Sequence, residues 1–225
     1  MDKYYSILTH TPLFHNLSHT DFLFLMDWLE PQIKTYQKGE IVLLAGYETH
    51  SIGVVLNGTL VAGKYTAAGA DIQINSITTG GIFADILSGS HVKSPVTLTC
   101  VQAAKILFLP YQRIITPPPS SHVAYQQLLK NWIGVISDKY FALDKRMDIL
   151  IEKNLRKKIA LFLLSASPAA DMEFSISLNR TALAHYLNCE RSALSRELSR
   201  MQAAGLIVYR RNCFKILNLP ALKAL

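Results

Sequence analysis

The chain has 225 residues, half of them hydrophobic and 17% charged, so it can bury a sizeable core and is not a disordered segment by composition. Its three cysteines, Cys100, Cys189 and Cys213, have no paired spacing, which excludes a disulfide frame and argues for a reducing compartment. Residues 1–150 carry 11 Lys and Arg against 11 Asp and Glu, whereas residues 151–225 carry 12 against 5, so all of the net charge of +7 lies in the last third. A basic segment on a neutral body is the electrostatic footprint of a polyanion binder.

The N-terminal MDKYYSILTHTPLF lacks the apolar core of a secretory leader. No apolar run reaches the ~18 residues of a membrane span, so a cytoplasmic protein without membrane contact is expected. Residues 21–29, DFLFLMDWL, suit one amphipathic helix with Ser18 or Thr20 as its cap. From Gln32 to Pro110 short β-prone runs recur at 41–44, 51–56, 59–65, 71–77, 96–101 and 104–109. Glycines punctuate them at Gly39, Gly46, Gly58, Gly69 and Gly80-Gly81, the pattern of a small sandwich or barrel.

The run Thr116-Pro117-Pro118-Pro119-Ser120-Ser121 cannot lie inside a helix, because proline lacks the amide donor and clashes with the preceding turn. A long helix is predicted after it. Its apolar seam is Tyr125, Leu129, Trp132 and Ile136, continued after a one-residue phase shift by Tyr140, Leu143, Met147 and Leu150. A helix of about 28 residues needs a partner, and such large aromatic residues point to a dimer interface. A basic amphipathic helix follows at 155–165, then a loop from Ser167 to Asp171, a short strand at 172–178 and, at the end, a hairpin around Arg211-Asn212.

Residues 180–201 read RTALAHYLNCERSALSRELSRM. Asn179 can cap a helix with Ala182, Leu183 and Leu187 on its apolar face, and Asn188 tolerates the left-handed conformation of a tight turn. The next helix buries Ala193, Leu194, Leu198 and Met201 and exposes Arg191, Ser192, Ser195 and Arg196, with Gly205 after its end. Helix, short turn, helix with a polar N-terminal half is a helix-turn-helix, whose second helix enters the DNA major groove. Arginine can pair with guanine O6 and N7, and serine is short enough to meet base edges or phosphate. Arg180, Arg210 and Arg211 are expected at backbone phosphates of double-stranded DNA.

The whole chain resembles the Crp/Fnr superfamily of bacterial transcription regulators. The resemblance rests on Arg191-Ser192-Ala193-Leu194-Ser195-Arg196-Glu197-Leu198 as recognition helix, and on Lys38-Gly39-Glu40 and Gly80-Gly81-Ile82-Phe83 in the barrel. It implies an α+β chain in three parts. A jelly-roll-like β-barrel (a double-stranded β-helix) with its N-terminal helix fills 1–116, a dimerisation helix 117–150, and a winged helix-turn-helix 151–225. It also implies a homodimer on a palindromic operator, an effector in the barrel and, for an activator, contact with RNA polymerase. Arg191 and Arg196 match the family's base-reading or backbone-anchoring arginines, and Ser195 a serine that contacts DNA in some members. Ser192 stands where many members have a glutamate, so the half-site should differ. Glu190 suits the helix dipole but would repel a nearby phosphate.

Members that bind cyclic AMP use a glycine-glutamate pair for the ribose and an arginine-serine pair for the phosphate. Here Ala84-Asp85 and Lys93-Ser94 occupy those places, so the effector pocket lacks the bidentate arginine, and Ala142, Leu143 and Asp144 offer no hydroxyl pair to an adenine. Cyclic AMP is not expected. An iron–sulfur cluster is not expected either, since no cysteine precedes Cys100. His50, His91 and His122 read as surface residues rather than haem ligands. Cys100 reads as buried and inert, and Cys189 as a thiol whose oxidation would disturb the turn. The competing reading is a ligand-binding module whose basic helices contact a protein instead of DNA. A third reading, an enzyme, is not expected, as there is no phosphate-binding glycine loop, metal-spaced His/Cys set or nucleophile elbow.

Overall fold

The computed structural model describes residues 2–65, 71–89, 92–119, 122–167, 173–176 and 178–225. The predicted turn glycine Gly69, the candidate His91, the Ser120-Ser121 end of the proline run, residues 168–171 of the loop and Met172 of the strand lie outside them. The chain divides into two units, Met1–Asp138 and Lys139–Leu225.

In the first unit, helices α1 (Tyr5–Leu8) and α2 (His19–Leu29) precede six antiparallel strands. These are β1 (Gln32–Tyr36), β2 (Ile41–Leu43), β3 (Ser51–Tyr65), β4 (Asp71–Thr78), β5 (Ile82–Phe83) and β6 (Thr97–Pro110). Helix α2 is capped as expected, with the Ser18 hydroxyl accepting from the Asp21 N–H. The sheet is built on one long ribbon, β3 against β6, paired from Ser51↔Pro110 to Gly63↔Thr97. One half of β6 also pairs with β1 and the other with β2, while β3 pairs with β5 and then β4. This is a jelly-roll-like arrangement, and among the described residues its ends do not pair into a closed barrel.

The separate strands expected at 51–56 and 59–65 are one strand, and so are those at 96–101 and 104–109. Gly58 is a bulge rather than a turn. The register against β6 slips on both sides of it, its φ is +96°, and a Cβ there would lie 2.4 Å from the Ala103 carbonyl oxygen. Strands β1 and β5 were not foreseen. Alternation along the ribbon builds two cores. Ile52, Val54, Leu56, Leu107 and Leu109 pack with Leu8, Phe14, Phe22 and Leu25, whereas Val55, Leu60, Leu98, Cys100, Ala104 and Ile106 pack around Phe83 and Ala84.

After the short helix α3 (Tyr111–Ile115), helix α4 (Val123–Ile151) runs for 29 residues. Here the expected seam needs correction. Tyr125 is buried and Leu129 and Trp132 are half buried against the first unit's own core. Asn131 fixes this stretch by donating to the carbonyls of Leu13 and His15. The apolar residues left outside instead repeat at 3-4-3-4-3 without a phase shift: Ile133, Ile136, Tyr140, Leu143, Met147 and Leu150. All but the half-buried Ile136 are exposed, Ile133 and Tyr140 at 62%.

The second unit continues with α5 (Leu155–Ala166), β7 (Glu173–Ser175), α6 (Arg180–Tyr186), α7 (Arg191–Ala203), β8 (Ile207–Arg210), β9 (Cys213–Ile216) and α8 (Leu219–Lys223). The three strands order as β7-β9-β8, all antiparallel. One core gathers Ile159, Leu163, Leu183, Leu187, Leu194, Leu198, Met201, Ile207 and Phe214. The local signals read from the sequence hold: Asn179 Oδ1 accepts from Ala182 N–H, Asn188 has φ +50°, and Gly205 has φ +68° after α7. Helix α8 was not foreseen.

Both tryptophans, Trp28 and Trp132, lie in the first unit, so their fluorescence isolates its unfolding. Gly58→Ala adds backbone strain to a clash and is expected to destabilise that unit by roughly 2–4 kcal/mol. Gly46→Ala has a φ of +85° but open space around its Cβ, and should cost only about 1 kcal/mol in the same urea titration.

Candidate nucleic-acid interface

The recognition element is α7, and its exposure follows from its packing. Leu194, Leu198 and Met201 are fully buried, which turns Arg191, Ser192 and Arg196 to solvent and leaves Ser195 half exposed. Helix α6 packs Leu183, Ala184 and Leu187 into the same core. Lys158 of α5, itself buried, donates from Nζ to the Leu187 carbonyl at 3.2 Å and so holds the turn between the helices. Cys189 sits half buried in that turn, where burial pushes its thiol up, with Lys158 opposing. Burial likewise raises the thiol of Cys100.

The arginines of this unit fall into two groups. Arg156 Nε of α5 meets Glu197 Oε1 at 2.5 Å, and Arg200 Nη1 meets the other carboxylate oxygen at 3.4 Å. Glu197 is largely sheltered, so it ties α5 to the recognition helix. Arg191, Arg196, Arg210 and Arg211 have no acidic partner among the described residues. The two serines differ as well. Ser192 is exposed, whereas Ser195 donates its hydroxyl to the Arg191 carbonyl one turn back, leaving its oxygen lone pairs outward as acceptors.

Arg180 is not a free cation. Its guanidinium lies 5.1 Å from the Tyr209 ring centroid and 5.9 Å from that of Phe214, and Nη2 donates to the Arg211 carbonyl at 3.2 Å. Burial lowers its pKa, Arg191 adds to that, and Tyr209 opposes it. Tyr209 is also held to α7, through Ser199 Oγ at 3.2 Å and through its N–H on Gln202 Oε1 at 3.0 Å. Arg156, Lys158, Glu197, Ser199, Gln202 and Tyr209 were missed as site residues. They carry no motif, and only the spacing of Glu197 and Arg200 at i, i+3 hinted at a pairing.

In the first unit, Ala84 is buried at φ +59° and Asp85 is 3% exposed. Lys93 is exposed. The Ser94 hydroxyl is engaged locally, donating to the Val96 carbonyl at 2.8 Å and accepting from its N–H at 3.3 Å. An open cleft of about 770 Å³ lies elsewhere, lined by Lys34, Thr35, Tyr36, Gly39, Glu40 and Ile41. His122 Nδ1 accepts from Ala124 N–H and its ring stacks on Phe24 at 3.8 Å, while His50 is exposed.

Comparison with known proteins agrees with this geometry. Residues 157–225 match the family model of the Crp-like helix-turn-helix domain. The fumarate and nitrate reduction regulatory protein of Salmonella typhimurium is 26% identical over 202 residues, covering 85% of this chain and 77% of that protein. Among solved structures, a variant of CooA from Carboxydothermus hydrogenoformans shares the fold at a TM-score of 0.65 and 18% identity, covering 95% of this chain and 98% of its own. The Thermus thermophilus catabolite activator protein does so at 0.54 and 17%, covering 95% and 97%. The chain therefore ends in a Crp-like helix-turn-helix domain, is similar over most of its length to a regulatory protein of the Fnr type, and shares the fold of Crp-type regulators.

Proposed function

We propose that the protein works as a homodimer on a palindromic operator and answers to a small-molecule signal taken up by the jelly-roll unit. The observation that carries the DNA half is the division of arginines around α7. Glu197 engages Arg156 and Arg200, while Arg191 and Arg196 stay exposed and unpartnered among the described residues on the helix's N-terminal half. A helix presenting two free guanidinium groups and two serines can meet guanine O6 and N7, and Ser195 as an acceptor suits a base amino group. Arg210 and Arg211, exposed at the hairpin turn, suit flanking phosphates.

The uninterrupted 3-4-3-4-3 spacing from Ile133 to Leu150 supports pairing of α4 with its copy. An apolar stripe of that length on a helix face needs a cover. Two-fold symmetry then sets two half-sites about 34–36 Å apart.

The effector reading is negative in one respect. Ser94 is spent on Val96, Lys93 offers a point charge instead of a fork, and Ala84-Asp85 stands where the cyclic AMP binders carry glycine-glutamate. These features argue against cyclic AMP; Ala84, Asp85, Lys93 and Ser94 are carried forward as the candidate effector residues from the resemblance alone. Contact with RNA polymerase would follow if the protein activates transcription.

Selection of genomic fragments by the purified protein should recover a palindrome. Anisotropy on that sequence should then show a steep salt slope, near −0.9 per phosphate contact. Arg191→Ala and Arg196→Ala should each cost about 1–3 kcal/mol and relax preference at one position per half-site. Fragments sharing no sequence, bound equally by both variants, would overturn this reading. Leu143→Glu buries a charge in the paired helices and should turn the dimer into monomer by sedimentation velocity, with operator binding lost; an unchanged dimer would place the interface elsewhere.

A further inference from the structure

Position 180 opens the first helix of the reading head, where the sequence reading expects a contact to a DNA phosphate. In this chain it is engaged elsewhere. Tyr209 and Phe214 are directly opposed across β8 and β9, with ring centroids 5.9 Å apart, so the Arg180 guanidinium lies against both strands of the wing at once. Its Nη2 also holds the carbonyl of Arg211, the first residue of the turn. Arg211 adopts φ +55°, the left-handed region that costs a long side chain on the order of 1–2 kcal/mol and that glycine would occupy freely. A wing needing only to turn has no use for arginine there. The side chain that bonds the carbonyl of this strained residue is Arg180.

We propose that Arg180 is a positioning residue of the wing and not a contact to the DNA backbone: it braces the Tyr209–Phe214 pair and the Arg211 carbonyl so that Arg210 and Arg211 meet DNA from a rigid turn. Tyr209 is itself bonded to Ser199 and Gln202 of α7, so the brace runs from α6 through the wing to the recognition helix. To reach a phosphate, Arg180 would have to leave two rings and a carbonyl. Its partial burial is consistent with its staying. This inference rests on the DNA-binding reading above.

The test is a double-mutant cycle on the selected operator duplex, read by anisotropy, with Arg180→Lys, Arg211→Ala and the pair, each checked by its thermal melt. Lysine keeps the charge and can lie over one ring, but cannot span two rings and reach the carbonyl. Arg180→Lys and Arg211→Ala are each expected to weaken binding about tenfold, and the pair to bind more tightly than the product of the two losses would give, because coupled residues are non-additive. Arg180→Met, which removes the charge as well, should match Arg180→Lys. Multiplying losses would make Arg180 an independent DNA contact and overturn the proposal. So would wild-type affinity in Arg180→Lys combined with weak binding in Arg180→Met, the signature of a simple phosphate charge. Failure of the wild-type protein to prefer any sequence would sink the underlying reading together with it.

Discussion

The orientation of the reading head depends on one packing constraint. Leu183 and Leu187 of α6 and Leu194, Leu198 and Met201 of α7 must share a single core, and the chain between them has only the short turn around Asn188 in which to reverse. Asn188 supplies the left-handed residue, and Lys158 ties down the Leu187 carbonyl beside it. Once those five apolar side chains are buried, the rotation of α7 is set. Arg191, Ser192 and Arg196 lie on the face opposite those buried side chains and are exposed.

Electrostatics then decides which charges remain for a ligand. The second unit is strongly basic, but an excess of positive charge does not make every arginine a DNA contact. Glu197 holds Arg156 and Arg200, and the wing rings hold Arg180. Long-range attraction of the polyanion needs only the net charge, whereas base reading needs guanidinium groups whose hydrogen-bond donors are uncommitted.

Features carried by a few neighbouring residues were legible in the sequence. The Asn179 cap, the Asn188 turn and the glycine after α7 each have a local cause, and each is present. Features set by distant partners were not. Gly58 reads as a turn glycine, yet its neighbour across the sheet is Ala103, some 45 residues on, and the close approach of that carbonyl makes the position a bulge in a continuous strand. Along α4 the seam drawn through Trp132 needs a one-residue phase shift, whereas the stripe through Ile133 needs none; the first unit's core takes Trp132 and leaves Ile133 exposed, a partner the sequence does not display. That Arg180 lies near the wing rings could not be read locally, because Tyr209 and Phe214 lie some 30 residues downstream.

In the jelly-roll unit, long-range pairing builds the frame around Phe83 and Ala84, and the Ser94 hydroxyl is engaged by Val96. The claim on which the account stands is that α7 reads guanines through Arg191 and Arg196. Methylation interference at guanine N7 on the selected operator tests it most directly. The account predicts blocked binding at guanines placed symmetrically in two half-sites, with one such position in each half becoming indifferent in Arg196→Ala. Interference spread evenly over all guanines, or unchanged by that substitution, would contradict it.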